Sequence, residues 1–131
     1  MLSDGGVNPA LFRGVDRAAF EGTYGIALPM PEFAPGLAAW SAKYRALAGR
    51  DPGPFTMQAY DAVQLAADAI KRAGTLDGSA VRKALADTQP ANVHLLSGPA
   101  GFNADGTQKT VRFMLLRVHD GAFVLDARSG R

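Results

Sequence analysis

The side chains best suited to chemistry in this sequence are two histidines, His94 and His119, and a scatter of serines. The histidines stand far apart, with no HExxH spacing, no paired carboxylates at ligand spacing and no cysteine in the chain. A zinc centre needs at least three ligands in a defined geometry. The simpler reading is a strand-end His94 and a turn His119, with no metal. Asn103-Ala104-Asp105-Gly106 resembles the middle of a calcium loop, but that loop requires an acid where Gly101 stands and a glutamate where Arg112 stands. It reads as a turn. No Gly-rich phosphate cradle or nucleophile elbow is present, and Ser3, Ser41, Ser79, Ser97 and Ser129 have no visible base partner. These features argue against an enzyme, and no cofactor is expected.

Phe55 is the exception among the aromatics, most of which sit where a core would want them. It follows the breaker Asp51-Pro52-Gly53-Pro54 and opens the longest helical pattern in the chain. A helix start is a ready site for anions such as a carboxylate, and an aromatic there faces the mouth of whatever crevice the helix end lines. The alternative is a hydrophobic staple that closes the helix start. Residue patterns alone leave both open.

The elements that must position Phe55 follow from periodicity and punctuation. Asn8-Pro9 starts a short, weak helix over Ala10–Phe20, interrupted by Gly14. Thr23–Leu28 is apolar and β-leaning, bounded by Gly22 and Pro29. Pro29–Gly36 is a stiff connector, because its prolines remove amide donors. Leu37, Trp40, Ser41, Tyr44 and Leu47 form one helical stripe ending at Gly49. Ala59, Ala62, Val63, Ala66, Ala69, Ile70 and Ala73 form a second stripe, small enough for close approach, ending at Gly74. Asp77 caps a shorter helix with Val81, Ala84 and Leu85 inward. Beyond Gln89-Pro90 the chain turns β-like. Short extended pieces are expected at Val93–Leu96 and Gly98–Phe102, a strand at Val111–Val118, a tight turn at His119-Asp120-Gly121 and a return strand at Ala122–Leu125. The strand at Thr23–Leu28 has no obvious neighbour, and this imbalance points to a missing part.

The 131 residues allow one modest domain, 47% apolar and 20% charged. No run approaches the roughly 20 apolar residues of a membrane helix. The 14 Lys and Arg exceed the 12 Asp and Glu by a net +2, and they are scattered where a nucleic-acid binder would cluster them. No nucleic-acid partner is expected. The segment Met1-Leu2-Ser3-Asp4-Gly5-Gly6 has neither a basic n-region nor an apolar h-region. A stand-alone product would therefore be cytoplasmic, unless this is an internal piece.

In order along the chain, Phe20-Glu21-Gly22-Thr23-Tyr24, the run from Tyr44 through Pro52-Gly53-Pro54-Phe55 to Ala59-Tyr60-Asp61-Ala62-Val63 and on to Ile70, Asp77–Leu85, Gly98-Pro99-Ala100-Gly101-Phe102-Asn103-Ala104-Asp105-Gly106, and the Val111–Leu125 hairpin resemble the periplasmic branched-chain amino-acid-binding proteins of ABC transporters. The similarity runs from about Asn8 to about Leu125. Asn103 departs from the family's usual aspartate, in the turn and away from the pocket.

The resemblance implies an α/β fold: the C-terminal fragment of a two-lobe type I periplasmic binding fold, with central helices and a terminal β-hairpin. It implies a C-terminal-lobe segment and first hinge strand over 1–29, a helical segment of the N-terminal lobe over 30–98, and a returning hinge with the C-terminal-lobe hairpin over 99–131. Hinge crossings would fall at Pro29–Pro35 and Gly98–Gly101. The implied function is the solute-binding component of an importer for branched-chain amino acids or related small amides, periplasmic at full length, with permease subunits as partners. The chain alone would not be binding-competent, because most of the family's pocket lies in earlier parts of its sequence. Phe55 matches the aromatic that contacts the solute side chain and is the one ligand-binding residue carried over. The alternatives are a self-associating interaction module, which buries the stripe at Ala59–Ala73 against a second copy, or a ligand-sensing regulator on the same fold.

Overall fold

The computed structural model describes residues 1–2, 6–34 and 36–129. Ser3, and Pro35 at the end of the expected proline connector, lie outside the described residues. The chain forms two compact units, one comprising Met1–Pro54 with Arg112–Arg131 and the other Phe55–Val111. These bounds differ from the lobe segments implied by the resemblance: the helix after the connector goes with the first unit and residues 99–111 with the second.

The first unit is built on a three-stranded antiparallel sheet, β1 (Tyr24–Ala27), β2 (Met114–His119) and β3 (Ala122–Leu125), in that order. The expectation that the first strand lacks a neighbour is therefore corrected. Tyr24 pairs with Arg117 and Ala27 with Met114, so the late hairpin supplies the partner that local reading could not find. The turn between β2 and β3 places both Asp120 (φ 50°) and Gly121 (φ 69°) in the left-handed region, the twist that two-residue hairpins require. One sheet face meets Val7 and Met30, which join Ala27 and Leu116 in a core flanked by Phe33, Met114 and Phe123.

The weak helix expected over Ala10–Phe20 is two separate 3-10 turns, Pro9–Phe12 and Arg17–Phe20. Asn8 and Asp16 cap them through their side chains, and Gly14 lies between with φ 73°. The proline connector contains one further 3-10 turn, Pro31–Phe33. Helix α1 (Ala38–Ala48) follows and ends at Gly49 in the left-handed conformation. Its stripe is half-buried at Trp40, Ser41 and Tyr44, but Leu47 is exposed, and no residue of the helix is fully buried.

The second unit holds α2 (Thr56–Ala73) and α3 (Gly78–Ala86), packed on each other. Gly74 ends α2 in the left-handed conformation, and the Asp77 side chain caps α3 by accepting from the Ala80 amide at 2.9 Å. At the far end of α2, Arg72 donates to Asp68, to the Ala84 carbonyl and to Thr88 Oγ1, tying both helices to the chain that leaves α3. Leu65, Leu95 and Ala100 form the core, flanked by Leu85, Val93 and Phe102.

Two expectations fail in this unit. Val93–Leu96 and Gly98–Phe102 are not strands; among the described residues only an isolated bridge, Phe102 with Gln108, forms there. The inward face of α2 is also rotated. Met57, Asp61, Leu65 and Ala69 are buried, whereas Ala59, Ala62, Val63, Ala66 and Ile70 are exposed. Positions two apart on a helix point about 200° away from each other, so most of the small-residue stripe faces outward, with Ala69 turned inward as expected and Ala73 half-buried. The reason is size and polarity: Met57 and Leu65 bury more apolar area than alanines do, and Asp61 is needed to hold a loop.

Candidate functional site

Pro52-Gly53-Pro54 stops any helix from α1 reaching Phe55, so α2 begins abruptly. Phe55 is its N-cap residue, at φ 63° and ψ −4°. A bulky side chain in the left-handed region costs on the order of 1–2 kcal/mol. The Phe55 carbonyl accepts the first helical hydrogen bond, from the Ala59 amide at 2.9 Å. The Phe55 side chain gives the helix start no capping bond, and the first turn carries no acidic residue. The amide groups at the start of this 18-residue helix make its positive end.

Phe55 is 50% exposed. A hydrophobic staple uses the residue before the N-cap, and Phe55 occupies the N-cap itself. It stands at the head of the outward stripe, followed at helical spacing by Ala59, Val63 (65% exposed), Ala66 and Ile70. The result is an apolar track running from the helix start down the face opposite the core.

The side chain that sequence reasoning missed is Asp61. It is 4% exposed and accepts from the Leu96 amide (2.8 Å), the Ser97 amide (2.9 Å) and the Ser97 hydroxyl (2.6 Å). A buried carboxylate survives only when hydrogen-bonded in this way. It pins the chain after α3 against α2 one and a half turns from Phe55. The available signal was the i, i+4 series Met57, Asp61, Leu65, Ala69, a second stripe with one polar member.

The other candidates resolve into structural roles. His94 is exposed. His119 is joined by two carboxylates that sequence spacing did not bring near it. Glu21 contacts His119 Nδ1 at 3.0 Å and accepts from the Asp120 amide at 2.9 Å, and the Asp120 carboxylate is 3.7 Å from His119 Nε2. All three are exposed, and they fasten the hairpin turn to the bend before β1. The hydrogen bond to His119 holds the Glu21 carboxyl below its ordinary range. In the Asn103–Gly106 turn the Asp105 carboxylate is taken up by the Thr107 hydroxyl and amide, which likewise lower it.

A family model described as "periplasmic binding protein" matches residues 6–122. No curated protein sequence matches the chain closely enough to count as a relative. Among solved structures, the leucine-binding protein LivK of Thermotoga maritima MSB8 superposes with a TM-score of 0.76 at 23% identity, over 95% of this chain and 35% of that one. An ABC transporter substrate-binding protein from Desulfitobacterium hafniense, in complex with Leu, gives 0.69 at 23% identity, over 83% and 32%. A solute-binding protein of R. palustris, in complex with benzoate, gives 0.63 at 20% identity, over 83% and 31%. The chain spans about a third of the length of these structures.

Proposed function

The chain belongs to the periplasmic binding protein family, and on that premise we propose that it is the C-terminal part of the solute-binding component of an ABC importer for branched-chain amino acids or related small amides. It acts by binding, with no catalytic step, in the periplasm, and hands its solute to permease subunits. In the two-lobed protein, residues 1–29 and 99–131 belong to the C-terminal lobe and 30–98 to the N-terminal lobe, with hinge crossings at Pro29–Pro35 and Gly98–Gly101.

Phe55 is the observation that carries this reading. A half-exposed aromatic, held in strained backbone at the start of the longest helix, is suited to lie against an apolar solute side chain while the helix end faces a carboxylate. Calorimetry with leucine, isoleucine, valine and small amides tests it. The 131-residue chain alone is expected to show no tight binding, since one wall cannot enclose a ligand. A two-lobed family member whose matching segment is replaced by these residues is expected to bind, and Phe55→Ala to weaken that binding roughly tenfold. Tight binding by the isolated chain, or indifference of the two-lobed protein to Phe55→Ala, refutes the reading.

The outward track on α2 favours a second reading, an interaction module that covers Val63 and Ile70 with a second copy of itself. Sedimentation separates the two: a stable dimer abolished by Val63→Glu supports self-association, and a monomer leaves the track for the remainder of a two-lobed protein.

A further inference from the structure

The first unit contains a cavity of about 450 Å³ whose wall comes from three stretches far apart in sequence: Phe12, Phe33 and Phe123. That volume is in the range of small-molecule sites, about 300–1,000 Å³. The aromatic wall is anchored from behind. Phe12 is 4% exposed and packs on Phe123 (ring centroids 5.1 Å) and edge-on to Phe20 (5.8 Å), while Phe33 and Phe123 lie against the sheet core.

Two opposite charges line the same cavity, Arg17 and Glu32. Among the described residues neither forms a hydrogen bond or an ion pair, with each other or with any third group. Arg17 is nevertheless positioned. Its stem lies so close over Gly121 that a β-carbon there would stand 2.8 Å from Arg17 Cδ, and Gly121 also needs its φ of 69° for the turn. The guanidinium is thus carried to the rim by a stem whose seat only glycine provides. Glu32 is an exposed residue whose carboxyl is raised above the ordinary range by partial desolvation and then by the like charge of Asp51.

We propose that this cavity is a ligand site of its own, for a small zwitterion with an apolar body: the carboxylate on Arg17, the ammonium on Glu32 and the hydrocarbon on the three phenyl rings. A guanidinium fork suits a carboxylate, and a ligand carrying both charges spans a gap that the two side chains do not close themselves. The site lies wholly within the first unit, shares no residue with the start of α2, and does not depend on the transport reading.

The test is an NMR titration of the ¹⁵N-labelled chain with L-phenylalanine, and separately with its two halves, phenethylamine and 3-phenylpropanoate. Saturable shifts centred on the Gly121, Ala122 and Phe123 amides are expected, with each half binding about tenfold or more weakly than the zwitterion. Glu32→Gln should bring phenylalanine down to the affinity of phenylpropanoate, and Arg17→Gln to that of phenethylamine. Equal affinity for the three compounds overturns the proposal, as do shifts confined to the start of α2, an absence of shifts, or a chain without dispersed hairpin amides.

Discussion

At the scale of single residues, the buried carboxylate of Asp61 has the largest consequence. Its three hydrogen bonds satisfy two half-buried backbone amides, of Leu96 and Ser97, beside α2. Asp61→Ala is expected to cost about 2–4 kcal/mol in urea unfolding, with hydrogen-exchange protection lost first at Leu96 and Ser97. Hydrogen-bonded carboxylates set the acid limit. The Arg128 guanidinium and amide beside Asp126 lower its carboxyl to about 2, and Glu21 and Asp105 are lowered too. A group with a depressed folded value stabilises above its unfolded value, 3.8 for Asp126, and that contribution disappears as pH falls through about 2. Glu32 has the opposite sign: its raised carboxyl favours the fold when protonated, and the benefit is lost as pH rises through its folded value. Stability followed by denaturant titration should therefore decline below about pH 4, and Asp126→Asn should flatten part of that decline.

At the scale of elements, β1 shows how a strand can be clear in sequence while its pairing is not. Gly22 and Pro29 bound Thr23–Leu28, but nothing local to it indicates that its partner lies beyond residue 110. Long-range pairing is decided by the core that the strands share, and here Val7 closes that core tightly over Gly25. A β-carbon on Gly25 would stand 2.5 Å from Val7 Cγ2. Gly25→Ala is expected to destabilise by about 1–3 kcal/mol, and pairing it with Val7→Ala should recover much of that loss in a double-mutant cycle. Helix ends were legible because capping is local: Asn8, Gly49, Gly74 and Asp77 all act as their residue types suggest. Which face of α2 turns inward was not. Two apolar series interleave on that helix, and burial of Met57 and Leu65 together with the Asp61 hydrogen bonds outweighs a row of alanines.

At the scale of the whole molecule, the family was legible because five motifs stand in order along the chain, although none is specific alone. The candidate site was legible only as one residue, Phe55, and its strained backbone was hidden because a Phe after Pro gives no sign of a left-handed conformation. The outward track yields a prediction at this scale. Val63 and Ile70 lie away from the core of their unit, so Val63→Lys should change the unfolding free energy of the chain by less than about 0.5 kcal/mol. If the remainder of a two-lobed protein covers that face, as proposed, the same substitution should cost several times more there. Equal effects in both settings would show that the track is merely a solvated face.

The three bonds made by Arg72 have one more consequence. Two of them, to the Ala84 carbonyl and to Thr88, bind α2 to α3 and its exit by contacts that bypass the short link between the helices, Gly74 to Asp77, while the third, to Asp68, steadies the guanidinium from within α2. A protease that cut this link would therefore leave two pieces still fastened by the guanidinium, and a gel would report the cleavage long before any spectrum did.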